Sequence, residues 1–281
     1  MHKKRNRLIG ILVVLVVLVG GYFSFFHKSA AESKTVTVGV VDSSKADTAI
    51  WKQVAKDAKD KYGVTVKTKQ FSDYNQPNKA LENGDVDLNA FQHQAFLDEW
   101  NQANHGHLVA IGKTVIAPIR LFSAKYHALN ELPDGATIAI PNDATNGSRA
   151  LYVLKNAGLI TFKKGTGKLA TVADIKDNKK NLKIKEMDAS QTARTLNDVD
   201  AAVVNNTYAN AAKLSTKDVI YTEPVNKDSA QWINIIVAKK DQANNKAYKD
   251  VVKAYQTKAV KDLYNKYYGD TEKTAWDLKL K

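Results

Sequence analysis

The chain of 281 residues contains no cysteine. That excludes disulfide frameworks, thiolate metal sites, iron–sulfur clusters, cysteine nucleophiles and lipidation on a cysteine. Proline (5) and methionine (2) are scarce, and no Arg-rich block or Lys/Arg run interleaved with aromatics occurs. Nucleic acid is therefore not an expected partner, despite a net charge of +13. Part of that charge is local, because Lys3, Lys4, Arg5, Arg7 and Lys28 face no acid within residues 1–28. The remaining lysines alternate with acids, as in Lys56-Asp57 and Lys239-Lys240-Asp241, which suits a solvated surface near a negatively charged envelope. Also missing are G-x-S-x-G, a P-loop, H-E-x-x-H and G-x-G-x-x-G. Gly165-Thr166-Gly167 is a flexible loop, His105-Gly106-His107 reads as a solvated turn, and Asp85 with Asp87 as capping acids. No enzyme, metal or cofactor is expected, so binding is favoured over turnover.

What is present begins with an export signal. His2 to Arg7 is basic, and Leu8 to Phe26 is a charge-free apolar run of 19 residues. Such a run spans a bilayer when uncleaved, while Ser29-Ala30-Ala31 offers a small-residue cleavage site. Residues 1–31 are thus expected as signal or membrane anchor and tether. Everything beyond should face the extracytoplasmic side of the cell membrane, anchored by the apolar segment or secreted.

The remaining chain alternates strand-like and helix-like segments. Thr35 to Val41 is a β-branched run, and Asp47 to Tyr62 carries Ile50, Val54, Ala58 and Tyr62 on one helical face before Gly63. Ala136 to Ile140, Thr145 to Ala157 and Ala201 to Val204 repeat that grammar, and amphipathic helices near 247–256 and 259–267 close the chain. The pattern predicts a largely parallel α/β architecture in two similar halves.

Four polar–aromatic clusters fall at strand-to-helix junctions, where α/β sheets place ligands. They are 71–78 (FSDYNQPN), 89–96 (NAFQHQAF), 141–149 (PNDATNGSR) and 204–208 (VNNTY). An arginine near a helix N-terminus grips a carboxylate, asparagine oxygens accept from an ammonium, and aromatic rings enclose an apolar or thioether tail. The set suits a small zwitterion. Taken singly, each residue has a plain alternative: Arg149 a surface helix residue, His93 a satisfied core histidine, Phe91 and Phe96 core residues, Asn205 the end of a strand.

In order along the chain, FSDYNQPN (71–78), NGDVDLNAFQHQAFLD (83–98), LNELPDGATIAIPND (129–143), KLATVADIKDNKKNLKI (168–184) and DVDAAVVNNTYA (198–209) resemble the methionine-binding lipoprotein family, the substrate-binding subunits of methionine ABC importers. The resemblance runs from about 36 to 268. It implies a two-lobed periplasmic-binding-protein-like fold of type II with a hinge, lobe 1 from 32–118 plus 225–281 and lobe 2 from 119–224. It implies capture of L-methionine or a close analogue between the lobes, docking on an ABC permease with its ATPase, and a monomer. Carried over residue by residue, the ligand contacts are Tyr74, Phe91, His93, Phe96, Arg149 on the carboxylate, Asn205, Trp232 and Asn234. Phe96 and Trp232 stand where the family usually has tyrosine. Pro118-Ile119-Arg120 and Gly147-Ser148 also depart from the family pattern, as does the missing lipobox cysteine, for which the apolar run would substitute. These departures leave room for another amino acid or a methionine-containing dipeptide, or for a surface interaction protein using its basic face.

Overall fold

The computed structural model describes residues 34–42 and 44–280. The apolar run Leu8–Phe26, and with it the expected anchor, lies outside the described residues. Among those described, no helix is long and apolar enough to cross a membrane.

The first part of the chain runs β1 (Thr35–Val41), α1 (Lys45–Tyr62), β2 (Thr65–Phe71), α2 (Pro77–Asn83), β3 (Leu88–Asn89), α3 (Gln94–Asn104) and β4 (Leu108–Ile116). Helix α1 starts where sequence chemistry says it should. Ser44 caps it in a reciprocal box with Asp47, and Gly63 ends it at φ 70°, a left-handed conformation that glycine adopts without a Cβ clash. Its Ile50, Val54 and Ala58 are buried on one face, packing on β1 with helices from the far end of the chain.

The middle of the chain contributes β5 (Arg120–Phe122), β6 (Thr137–Pro141), α4 (Ala144–Asn156), β7 (Thr161–Phe162), β8 (Ile175–Asp177), β9 (Lys183–Met187), α5 (Ala189–Thr192), β10 (Ala201–Val204), α6 (Asn206–Ala211) and β11 (Val219–Thr222). The chain then returns with β12 (Ile233–Lys239), α7 (Lys246–Tyr255), α8 (Lys258–Tyr267) and β13 (Lys273–Thr274).

Two sheets result, plus the small β7–β8 pair. One has the order β13-β4-β12-β3-β1-β2, the other β11-β5-β10-β6-β9. The first therefore draws its strands from both ends of the chain. The chain crosses between sheets at residues 117–119 and again at 223–232. Each sheet is mixed: β1–β2, β1–β3, β6–β9 and β6–β10 pair parallel, whereas β12 against β3 and β4, and β5 against β10 and β11, pair antiparallel. The largely parallel sheet expected from strand–helix alternation is thus corrected. Alternation reports helices between strands, but a strand that returns across a linker enters its sheet from the opposite end.

Two apolar cores fill the layers on either sheet. A third joins Val41 and Phe91 of the first-sheet side to Phe122, Ala139, Val204 and Tyr208 of the second, with Phe71, Tyr74 and Phe96 packed against it. This bridging core holds the two sheets' strand ends face to face.

Candidate functional site

The site is built from strand ends and helix starts. Asn89 ends β3, Gln92 lies just past it, and both are buried with Asn78 in an amide cluster. Gln92 Nε2 donates to Asn78 Oδ1 (2.6 Å) and Asn89 Oδ1 (2.9 Å), and Asn78 Nδ2 returns a bond to Gln92 Oε1 (3.0 Å). The backbone O of Gln92 accepts from Ile235 N at 2.9 Å. These bonds fix the turn that carries Phe91 and His93.

His93 is the N-cap of α3. Its Nδ1 accepts from Phe96 N at 3.1 Å, so Nε2 carries the hydrogen and points at Asn146 Oδ1, 3.2 Å away. Burial, with Arg149 nearby, pushes the His93 pKa down to about 3, which leaves the ring neutral.

Asp143 caps α4 and also holds the Asn146 amide, which donates to both of its carboxylate oxygens at 3.0 and 3.1 Å. That orients Asn146 Oδ1 toward His93 and toward Asn205 Nδ2, which donates to it at 2.7 Å. Asn205 occupies the N-cap of α6 yet makes no side-chain capping bond. Its amide is committed to Asn146 instead, and its Oδ1 is buried without a partner. An unpaired buried acceptor is costly unless something fills it.

Arg149 is one turn further along α4, with a side chain only 4% exposed. Its Nε donates to Glu223 Oε1 at 2.9 Å, and Nη2 donates to Glu223 Oε2 and to the Ala117 carbonyl (3.1 Å). The guanidinium lies 4.7 Å over the Trp232 ring. Ala117 belongs to one crossover between the sheets, and Glu223 and Trp232 to the other. Glu223 also accepts from Ile119 N through Oε2 at 3.2 Å, tying the crossovers together. Nη1 takes no part in these bonds, and Arg149 lines the site's cavity. The backbone approach that aims α4 is close: a Cβ on Gly147 would stand 2.8 Å from the Pro141 carbonyl oxygen.

Tyr74, Phe91, His93, Phe96, Arg149, Asn205 and Asn234 all line one cavity of about 100 Å³. Tyr74 stacks near Phe91 (5.7 Å), Phe96 (6.1 Å) and Tyr208 (4.9 Å). Desolvation pushes its phenol pKa well up, keeping it protonated. Asn234 pairs with His93 in an isolated antiparallel bridge. Trp232 differs from the other expected residues. It stands behind Arg149 and His93 (5.0 Å between rings) and is absent from the cavity wall.

Glu223, Asn146, Gln92 and Tyr208 were not among the residues expected at the site. Asn146 and Tyr208 sit inside clusters already marked by the sequence. Glu223 follows Tyr221-Thr222 with no motif around it, and only its pairing with a residue 74 positions away reveals its part.

The arrangement offers a cationic donor, a neutral imidazole and an unpaired amide oxygen, enclosed by aromatic rings. No metal-binding group of His or acidic residues occurs among the described residues. Residues 36–276 match the family model described as NlpA lipoprotein. The chain is 39% identical over 271 residues to the D-methionine-binding lipoprotein MetQ of Escherichia coli, covering 95% of this chain and 96% of that one. It is 42% identical over 251 residues to the probable D-methionine-binding lipoprotein MetQ of Haemophilus influenzae, covering 89% and 90%. Among solved structures, the substrate-binding protein of a methionine transporter from Streptococcus pneumoniae superposes with a TM-score of 0.81 at 48% identity, covering 86% of this chain and 96% of that one. A nutrient-binding protein from Burkholderia cenocepacia, solved bound to methionine, gives 0.81 at 42%, covering 85% and 99%. The fold, the motifs and these likenesses agree: the chain belongs to the NlpA lipoprotein family.

Proposed function

We propose that this chain is the extracytoplasmic substrate-binding component of a methionine ABC importer, and not an enzyme. The observation that carries this is the placement of the Arg149 guanidinium and the unpartnered Asn205 Oδ1 on one cavity walled by Tyr74, Phe91 and Phe96. The guanidinium takes the ligand carboxylate, the Asn205 oxygen takes the ammonium, and the rings take the thioether tail. A hydrogen bond to a charged group contributes about 1.5–3 kcal/mol, and a sulfur–aromatic contact about 0.3–1.5 kcal/mol. His93, held neutral, adds no second positive charge to repel the ammonium.

In this reading the lobes are 32–118 plus 225–281 and 119–224, hinged at the two crossovers. Tyr74, Phe91, His93, Phe96 and Asn234 come from one lobe, Arg149 and Asn205 from the other, with Trp232 bracing the guanidinium from the return crossover. A ligand that touches both lobes shifts the population toward the closed form. The chain acts as a monomer, anchored by Leu8–Phe26, and delivers its cargo to a permease and its ATPase. With no cysteine to lipidate, the apolar run does for this chain what a lipid does for lipoprotein relatives.

The test is calorimetry on the whole chain with L-methionine, D-methionine and methionine dipeptides. The sequence reading favours the L isomer, whereas curated relatives are named for the D isomer. Saturable binding of a free methionine isomer supports the proposal, and no binding of any methionine compound ends it. Raising salt tenfold should change the affinity little, since the charges meet in an enclosed cleft. A steep loss would instead point to a polymer held on the basic surface.

A further inference from the structure

The cavity does not end at the aromatic rings. It is also lined by Asp47, Asn206, Asn210, Tyr255, Tyr264 and Glu272. Glu272 is 7% exposed and lies between the turn after α8 and β13, on the side of the first sheet. Asn206 and Asn210 are one turn apart on α6, which follows β10 of the second sheet. Both amides donate to the same oxygen, Oε1 of Glu272, with Asn210 at 2.9 Å. Asn206 Oδ1 in turn accepts from Nη2 of the buried Arg120 on β5. A single carboxyl oxygen thus joins elements of the two sheets.

We propose that Glu272 is a closure clasp: a positioning residue that sets how readily the two lobes shut, through Asn206 and Asn210, and so sets ligand affinity. The inference rests on the two-lobed binding reading above. The charged and titratable groups facing Glu272 are Asp47 from α1, Arg120 from β5, Tyr255 from α7, and Tyr264 and Tyr268 from α8. The Asp47 carboxylate is itself held by Ser44 and by the Tyr268 hydroxyl (2.7 Å). Burial, then Asp47, raise the Glu272 pKa to about 8, against the opposing pull of the two amides and Arg120.

The sign follows. Opening removes the second lobe's share of the burial, the largest cause of the raised pKa, while Asp47, Tyr255 and Tyr264 stay with Glu272 in its own lobe; its pKa then falls below about 8, so closure takes up a proton. Closure is most favourable at the acid end and weakens as pH climbs toward about 8. A zwitterionic ligand keeps its charges across that window.

The experiment measures methionine affinity by calorimetry for the whole chain and for Glu272→Gln, at about pH 6 and about pH 8. Glutamine keeps the oxygen that accepts from both asparagines and cannot ionise. The wild-type dissociation constant should rise about fivefold or more between the two conditions, while that of Glu272→Gln stays flat. At the higher pH the variant should bind more tightly than wild type, a gain that a merely structural role does not produce. A second readout needs no ligand. Hydrogen exchange over residues 206–211 and 269–276 should be faster in wild type than in the variant at about pH 8, and equal at about pH 6. Matching pH behaviour of the two proteins overturns the clasp. Divergent exchange without any methionine binding keeps the clasp and overturns only the ligand.

Discussion

Two carboxylates, Glu223 behind Arg149 and the buried Glu272 on the cavity wall, are compensated differently. Glu223 meets a full positive charge, with both oxygens engaged by Arg149 in a fork-to-fork pair and a backbone amide added at 3.2 Å. Glu272 meets only neutral amides, and its nearest cation, Arg120, reaches it through Asn206. A bidentate guanidinium pair fixes geometry, whereas amides hold a carboxyl in either protonation state. The first is therefore built to hold a donor still at the crossovers. The second is built to respond. On the proposed reading, recognition and closure are thus divided between the two.

The sharpest way to break this comparison is Arg149→Ala. It removes the carboxylate grip and strands Glu223, and breaking a buried pair by removing one partner costs about 3–5 kcal/mol of stability. Methionine binding should be lost in calorimetry and the melting temperature should fall. Unchanged affinity would remove Arg149 from the site. Asn205→Ala is a smaller insult. It deletes the unpaired acceptor, so affinity should drop by about 1.5–3 kcal/mol while the fold survives. Equal binding would assign the ammonium to another group.

Gly147→Ala tests the placement of the arginine without touching it. The added methyl meets the Pro141 carbonyl at 2.8 Å, so α4 must shift away from β6. Such overpacking costs about 1–3 kcal/mol, visible in chemical denaturation, and should weaken binding through Arg149 and Asn146 together. The gentlest test is pH. His93 has a depressed folded pKa, so its share of stability is present above the ordinary 6.5 and is lost as pH falls toward about 3. The slope is at most about 1.4 kcal/mol per pH unit. Its ring resonances should show no titration between about pH 5 and pH 8, and a midpoint near the ordinary value would contradict the buried, neutral imidazole.

Much of the site was legible along the chain because local chemistry writes it there. His93, Asp143 and Asn205 stand at helix starts, where polar side chains are favoured, and the rings beside them alternate with buried positions. The expected helices over 145–157, 247–256 and 259–267 lie within a residue or so of the observed ones, since capping and apolar spacing are short-range signals. The strand β13 was not anticipated. Two residues of strand form only because β4 offers an edge to pair with.

The amino-acid order alone determined the alternation of strands and helices, the aromatic and amide chemistry of the cleft, and the absence of any thiol. Only the tertiary structure decided which carboxylate holds Arg149, that Trp232 braces it from behind, and that Glu272 meets two asparagines more than sixty residues away. Helix caps and periodicity act within a few residues and leave their mark on the string. A salt bridge or an amide clasp needs atoms within about 3 Å, a condition set by how the sheets face each other and written nowhere in local order.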